Sequence, residues 1–162
     1  MTVRGVSAGI RDCRAGSAPR VATLRGGRLE VSFEWRGGFT NGEVNTLHAE
    51  AFETRLYSDD EWNWVDLTAR HSLGWVTARA ERELVGFVNV IWDGLTHVWV
   101  QDLMVAGSAR GQGIGVELVH RVRSAAAAAG CEWLHVDFEA DLAPFYLEAC
   151  GFEPAQAGLM AL

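Results

Sequence analysis

One stretch constrains this chain more than any other: residues 103–122, LMVAGSARGQGIGVELVHRV, where an apolar run leads into a glycine loop. The loop has glycines at three alternate positions, Gly111, Gly113 and Gly115. Apolar residues then recur at a spacing of four, which predicts an amphipathic helix: Ile114, Leu118, Val122 and Ala126. A strand, a glycine loop and a helix N-terminus form an anion site, because the first-turn N–H groups point outward at the positive end of the dipole. Phosphate is the usual occupant of such a turn.

Composition limits the partners of this turn. The chain has 162 residues, which suits one domain, and its net charge of −7 disfavours nucleic acid. An acidic surface suits cationic substrates such as amines. No window approaches the roughly 18 apolar residues of a membrane helix. All 14 basic residues are arginine, so lysine chemistry is excluded.

The cellular setting is predicted from the cysteines and the N-terminus. The three cysteines are scattered and odd in number, which favours a reducing cytoplasm, and no C-x-x-C pair indicates zinc: Cys13, Cys131 and Cys150. No apolar signal segment follows the N-terminal arginines. Residues 1–28 are rich in Gly, Ala, Ser and Arg, so we expect a disordered tail there, and one α/β domain over residues 29–162.

The first half of that domain alternates strands and helices. A strand is predicted over residues 29–35, followed by a helix capped by Asn41 and a second helix starting at Ser58 or Asp59. Three strand-like runs with short connections predict an antiparallel meander: residues 74–80, 84–94 and 96–105.

The second half begins with the helix after the loop, which we expect to end at Gly130. A strand over residues 133–139 and a short helix with Asp141 as N-cap follow. The tail, residues 152–162, is predicted to form one or two short strands.

Three kinds of phosphate loop compete for the glycine pattern. A Walker loop needs a lysine, which this chain lacks. A dinucleotide fingerprint needs a small residue where Val116 stands, and too few residues follow Asp137 to complete that fold. The third pattern, [QR]-x-x-G-x-[GA], fits Arg110, Gly113 and Gly115.

A second motif gives this third pattern a family context. FYLEACGF, residues 145–152, follows the loop by about thirty residues, beyond a helix and a strand. Together the motifs resemble those of the GNAT superfamily of acyl-CoA-dependent N-acyltransferases, and the resemblance covers residues 29–162. It implies a mixed, mostly antiparallel sheet with splayed central parallel strands, flanked by about four helices.

The resemblance also implies the residues that bind acetyl-CoA. Backbone amides of the loop would bind the pyrophosphate: Arg110, Gly111, Gln112, Gly113, Ile114 and Gly115. Pantetheine would pair with the backbone of the preceding strand: Leu103, Met104 and Val105. Glu139 departs from the asparagine that many members have seven residues before the motif tyrosine, and a carboxylate cannot donate that hydrogen bond to pantetheine.

The catalytic residues follow from the same resemblance. Tyr146 matches the tyrosine that lies near the thioester sulfur and protonates the departing thiolate. Asp102, beside the cleft, is our choice for the base that deprotonates the amine. Other candidates for this base are Glu34, His97 and His135.

The acceptor is predicted only as an amine, small or carried by a protein. The segment SDDEWNW, residues 58–64, combines carboxylates with aromatic rings that suit a cation or simply belong to the core. The alternative function is a non-catalytic CoA-binding module on the same fold. Dimers are common in the family, and the apolar segment GLMAL could pair across such an interface.

Overall fold

The computed structural model describes residues 30–161, and the segment expected to be a disordered tail, residues 1–28, lies outside them. Five strands form one sheet in the order β1-β2-β3-β4-β5. The strands are β1 (Val31–Trp35), β2 (Ser72–Ala80), β3 (Glu83–Trp92), β4 (His97–Val105) and β5 (Trp133–Val136). The first four pair antiparallel, which confirms the predicted meander, and β5 pairs parallel with β4.

Helices cover both faces of this sheet. They are α1 (Asn41–Ala51), α2 (Trp64–His71), α3 (Ile114–Ala128) and a short C-terminal helix (Pro144–Ala149). α1 packs on β3 and β4, α2 packs on β2 and β3, and α3 packs on β1 to β4. The central strands are buried on both faces, as the six consecutive buried residues of β3 show.

The helix following the glycine loop has the predicted extent. Its stripe of four apolar residues is buried, with exposures of 0–4%: Ile114, Leu118, Val122 and Ala126. Gly130 follows the end of α3 at φ +90°, a conformation that glycine adopts without steric cost. This helix therefore forms from its own local sequence pattern and its end signal.

Two helix starts differ from the prediction. Thr40, not Asn41, caps α1, because Thr40 and Glu43 form a reciprocal capping box. The second helix begins at Trp64 with Asn63 as N-cap, not at Ser58. Ser58 instead lies in a turn held by Glu61, whose carboxylate accepts hydrogen bonds from the Ser58 backbone and hydroxyl at 3.0 Å.

The C-terminal part also differs from the prediction. Asp141 lies within a 3-10 turn (Ala140–Leu142) and is not the cap of the following helix. That helix has π-helical spacing, with Cys150 N–H donating to the Phe145 carbonyl at 3.0 Å.

The predicted C-terminal strands do not form: residues 151–161 contain no strand. Pro154 lacks the N–H that a sheet ladder needs. Leu159 and Met160 are 101% and 82% exposed, so these two apolar side chains do not pack on the core. β5 is therefore the edge strand of the described sheet, and the parallel pair lies at that edge.

The parallel pair opens toward the glycine loop. β4 and β5 are in register from His97 with Trp133 to Val100 with Val136. β4 continues to Val105, whereas β5 ends, so residues 101–105 face no strand on that side within the described chain. This opening is called the splay below, and it positions the candidate site.

Candidate active site at the splayed strands

The glycine loop is shaped by two of its three glycines. Gly111 and Gly113 have φ values of +72° and +82°, which L side chains rarely adopt. A Cβ on either residue would meet no atom within 4 Å, so open space lies above the turn. Gly113 is the N-cap of α3, and the helical bonding begins with Glu117 N–H donating to the Gly113 carbonyl. The amides of residues 114–116 therefore stand outside the helical pattern, as a cradle for an anion requires.

The third glycine serves packing. A methyl group on Gly115 would lie 3.1 Å from Phe145 Cζ and 3.8 Å from Val105 Cγ2. The first turn of α3, the end of β4 and the C-terminal helix therefore meet at this one residue. The two motifs of the sequence, separated by about thirty residues, are in direct contact.

The side chain of Arg110 turns back toward the sheet. Its Nε donates a 3.1 Å hydrogen bond to the Val105 carbonyl. On the side away from β5, β4 pairs with β3 through Met104 opposite Phe87 and Val105 opposite Gly86. Leu103, Met104 and Val105 thus lie along the splay, where the pantetheine prediction puts them, and Arg110 already engages one of their carbonyls.

Tyr146 is buried beside this junction. Its exposure is 6%, its ring stacks on Phe138 at 4.9 Å, and Phe145 and Phe152 meet it edge-on. Burial raises the pKa of Tyr146 to about 12, with a smaller contribution from Cys150. The phenol is therefore protonated at neutral pH and is able to donate a proton.

Asp102 lies on a β-bulge at the splay. Between the pairs Gln101–Asn89 and Met104–Phe87, β4 has one more residue than β3. Asp102 adopts φ +52° there, an uncommon value for a residue other than glycine. Burial raises the pKa of its carboxyl, and the charge of His48 on α1 opposes that shift. A partly buried carboxylate with a raised pKa is suited to accept a proton.

The other three candidates for the base fit less well. Glu34 is exposed on β1, at the opposite edge of the sheet, about 14 Å from β4 at ~4.8 Å per strand. His97 and His135 engage each other, with a distance of 2.7 Å between His97 Nδ1 and His135 Nε2. Both lie in the part where β4 and β5 are still paired, before the splay begins. The bulge brings Asp102 alone among these four to the opening.

The residues predicted to bind the acceptor, in the segment between α1 and α2, differ in the contacts that they make. Trp64 is fully buried and donates its indole N–H to Asn45 at 2.8 Å, so it belongs to the core. Glu61 pairs with Arg55 at 2.6 Å. Trp62 is half-buried, and its indole nitrogen is buried without a hydrogen-bond partner. Among these three side chains, Trp62 is the one whose polar group has no hydrogen-bond partner.

His48 was missed by the sequence reading. It is 7% exposed on α1, with aromatic rings around it at 4.9–5.9 Å: Phe52, Tyr57, Trp62 and Trp64. The sequence showed His48 only as one member of a helix face. Its closeness to the bulge of β4 arises from how α1 crosses the sheet.

Residues 30–161 contain neither a metal site nor a membrane-spanning helix. No group of three or more His, Cys, Asp or Glu side chains that could hold a metal ion is present there. Within the same residues, none of the helices has the length and apolar character needed to cross a membrane.

The match to a family model covers residues 40–152, and that model describes the acetyltransferase (GNAT) family. No curated protein matches the sequence. The chain belongs to the GNAT acetyltransferase family, and its five-stranded mixed sheet with flanking helices has the family's fold.

Solved structures support the same fold at low sequence identity. An acetyltransferase from Trypanosoma brucei is 20% identical, with a TM-score of 0.67, over 80% of this chain and 98% of the other. An aminoglycoside acetyltransferase from an uncultured soil metagenomic sample, in complex with sisomicin, is 17% identical, with a TM-score of 0.64, over 82% and 96%. Glucosamine-6-phosphate N-acetyltransferase from Arabidopsis thaliana is 15% identical, with a TM-score of 0.63, over 80% and 97%.

Proposed function

We propose that this protein is an N-acetyltransferase that moves an acetyl group from acetyl-CoA directly to a primary amine. One observation carries the proposal: Gly115 brings Val105 and Phe145 together, so the loop, the splay and the tyrosine motif share one site. Acetyl-CoA is the co-substrate, and it supplies an acyl group activated as a thioester.

The residues of the site fit both ends of acetyl-CoA. The amides around Gly113 at the start of α3 face open space and suit the pyrophosphate. The backbone from Leu103 to Val105 faces no strand on the side of β5 and suits the amide groups of pantetheine, which would pair with it like an added strand.

Proton transfer is divided between two side chains. Asp102 removes the proton from the ammonium group of the acceptor, directly or through a water, because only the neutral amine is a nucleophile. Tyr146 donates its phenolic proton to the departing sulfur. One C–N bond forms, one C–S bond breaks, and free CoA leaves as a thiol. The nitrogen loses its second proton as the tetrahedral intermediate collapses, and that proton returns to the Tyr146 phenolate, while Asp102 releases its proton to water. Holding both substrates together supplies much of the rate, so we expect a ternary complex without an acyl-enzyme.

The alternative is a CoA-binding module without catalysis. The preserved loop and the buried, protonated Tyr146 favour the enzyme, because a binding module needs only the loop.

Calorimetric titration of the purified protein with acetyl-CoA, with NADH as control, is the first experiment. Saturable binding of acetyl-CoA alone, followed by amine-dependent thiol release, is expected. Binding without thiol release for any amine class supports the non-catalytic module. No binding of acetyl-CoA overturns the proposal.

A further inference from the structure

Three rings form a group on β4 and β5 just before the strands separate. We name His97, Trp99 and His135 the ring platform. Trp99 and His135 stack with ring centroids 4.8 Å apart and planes 19° apart. The His97 and His135 rings lie side by side, with centroids 5.0 Å apart, planes 21° apart and a 2.7 Å hydrogen bond between their nitrogens. All three side chains are half-buried, so each leaves part of its surface accessible.

The ring platform lies on the sheet face that carries α1 and α2. Phe87 on β3 contacts Trp64 of α2, with ring centroids 6.0 Å apart, which assigns it to that face. Side chains two residues apart on a strand share a face, so Ile91 shares the face of Phe87. Ile91 pairs with Trp99, which therefore lies on the same side.

The opposite face belongs to α3. A Cβ on Gly86 would lie 3.1 Å from Leu118 Cδ1 of α3. Gly86 and Val90 share that face, and Val100 is the partner of Val90. The phosphate loop continues directly into α3, whereas the ring platform lies on the other side of the sheet. Acetyl-CoA and the acceptor would thus reach the splay from different directions.

The rings are fixed before any ligand arrives. The 2.7 Å hydrogen bond between His97 and His135 holds two of them, and the contact of Trp99 with the His135 ring holds the third. Ordered rings lose little conformational entropy on binding.

Charge near the ring platform is acidic. Asp102 lies at its splay end, and Asp93 lies beyond its other end, where it accepts a hydrogen bond from the His97 backbone. β4 and β5 contain no arginine and no lysine. A cation is therefore favoured along this face.

We infer that the acceptor is a primary amine attached through a short chain to a flat, unsaturated ring, which packs against the exposed part of the ring platform while its nitrogen reaches Asp102. The inference rests on the proposed function. At ~3.3 Å per residue, Trp99 and Asp102 are about 10 Å apart along β4, so a flexible linker must connect ring and nitrogen. An amino sugar needs many hydrogen-bonding partners, and the ring platform instead offers mainly aromatic surface. A linear polyamine has no ring to place on them.

The experiment compares matched amines by thiol release. Phenylalkylamines with one to four methylenes are measured against cyclohexylalkylamines of the same linker length, with spermidine and glucosamine as other classes. Aromatic contact favours the unsaturated ring, so we expect its kcat/KM to exceed that of the saturated analogue about threefold to tenfold. We also expect an optimum at one linker length, because both ends of the ligand are fixed.

Variants test whether Trp99 causes the preference for the phenyl ring over the cyclohexyl ring. Trp99→Leu should bring the ratio of phenyl to cyclohexyl kcat/KM close to one, and Trp99→Phe should retain most of it. Trp92→Leu is the matched control, because Trp92 is 42% exposed on the same sheet and is the partner of Val98, on the face of α3. Unchanged acetyl-CoA affinity in all three variants shows that they fold.

The outcomes separate the inference from the proposed function. Turnover of spermidine or glucosamine with equal or better kcat/KM than every phenylalkylamine overturns the inference and leaves the acetyltransferase intact. A phenyl preference that survives Trp99→Leu also overturns it. Acetyl-CoA binding without turnover of any amine refutes the proposed catalysis and, with it, the inference. Loss of the preference in Trp99→Leu alone supports the ring platform.

Discussion

The two substrate sides that we propose for this site, a cofactor side and an acceptor side, are built in different ways. On the cofactor side, backbone atoms of six consecutive residues, 110–115, form the turn, and its shape depends on two positive φ values. On the acceptor side, side chains come from α1, β4, β5 and the segment between α1 and α2. The first side is local in sequence, and the second is assembled from residues up to 87 positions apart, His48 and His135.

This difference explains what each side recognises. Backbone amides would bind the pyrophosphate without using the side chain of Gln112, so we expect the cofactor side to accept other side chains at that position, whereas Ile114 is buried in the core. Side chains determine shape and charge on the acceptor side, so that side sets the substrate. We therefore expect substitutions on the two sides to separate acetyl-CoA affinity from acceptor turnover.

The largest effect is expected on the cofactor side. Gly113→Trp should weaken acetyl-CoA binding at least about 100-fold, because the bulky ring fills the turn and displaces several charge-assisted hydrogen bonds. Calorimetry measures this change. Gly94→Trp is the control, since Gly94 has nearly the same φ, +83°, and the same open surroundings in the β3–β4 turn. Equal loss in both variants would mean that the effect is strain and not the site.

Substitution of Tyr146, which lies between the two sides, should change the rate of acetyl transfer and leave acetyl-CoA binding unchanged. Tyr146→Phe should lower kcat on the order of 100- to 1000-fold with unchanged acetyl-CoA affinity, because the ring still packs but no proton is available for the sulfur. Steady-state kinetics and calorimetry measure both quantities. Tyr57→Phe, at the other tyrosine of the chain, should leave kcat unaffected. Normal turnover in Tyr146→Phe would remove the phenol from the mechanism.

On the acceptor side, Asp102→Asn should lower kcat/KM about 100-fold at neutral pH and abolish the acidic limb of the pH profile. The same variant should be more stable than the wild type at pH 7. Burial raises the pKa of Asp102 above the unfolded value of 3.8, so its ionisation destabilises the folded state as pH rises through the folded pKa. The gain in melting temperature should vanish near pH 3.

The exposed Asp93, in the β3–β4 turn, supplies the control for this variant. Asp93→Asn should retain turnover and its acidic limb. An acidic limb that persists in Asp102→Asn would assign the base to another group.

The smallest effect is expected away from both sides. Glu43→Gln should destabilise the fold by about 1 kcal/mol and leave both substrates unaffected, because Glu43 completes the capping box and accepts from Arg79 at 2.7 Å. The Arg79 hydrogen bond lowers the pKa of Glu43 to about 2. Its stabilisation is therefore present above about pH 4.5 and lost as pH falls through 2.

Denaturant unfolding at pH 7 and pH 2 measures this difference, with exposed Glu30→Gln as control. An equal loss of stability at both pH values would show that the carboxylate charge plays no part.

The fold was largely predictable because its signals are local. The meander followed from strand runs with short connections, and α3 followed from its apolar stripe and Gly130. The prediction of a helix start was wrong where a side chain forms its hydrogen bond with a residue far away in the sequence. Asn41 was predicted to cap its own helix, but its side-chain Oδ1 accepts a hydrogen bond from the backbone N–H of Trp64 at 2.5 Å, 23 residues away. Thr40 is the N-cap residue instead. The predicted C-terminal strands were wrong, because residues 151–161 pair with no strand in the described structure.

The sequence by itself determined the phosphate turn, since glycine's conformational freedom and a helix start depend on neighbouring residues only. It also determined the family, because two motifs with fixed spacing are both local patterns. Only the tertiary structure shows that a bulge places Asp102 at the splay and that α1 positions His48 near it. Only the tertiary structure, too, brings the rings of His97, Trp99 and His135 into contact. These are contacts between strands and helices far apart in the chain, and their distances are set by packing, which no local pattern records.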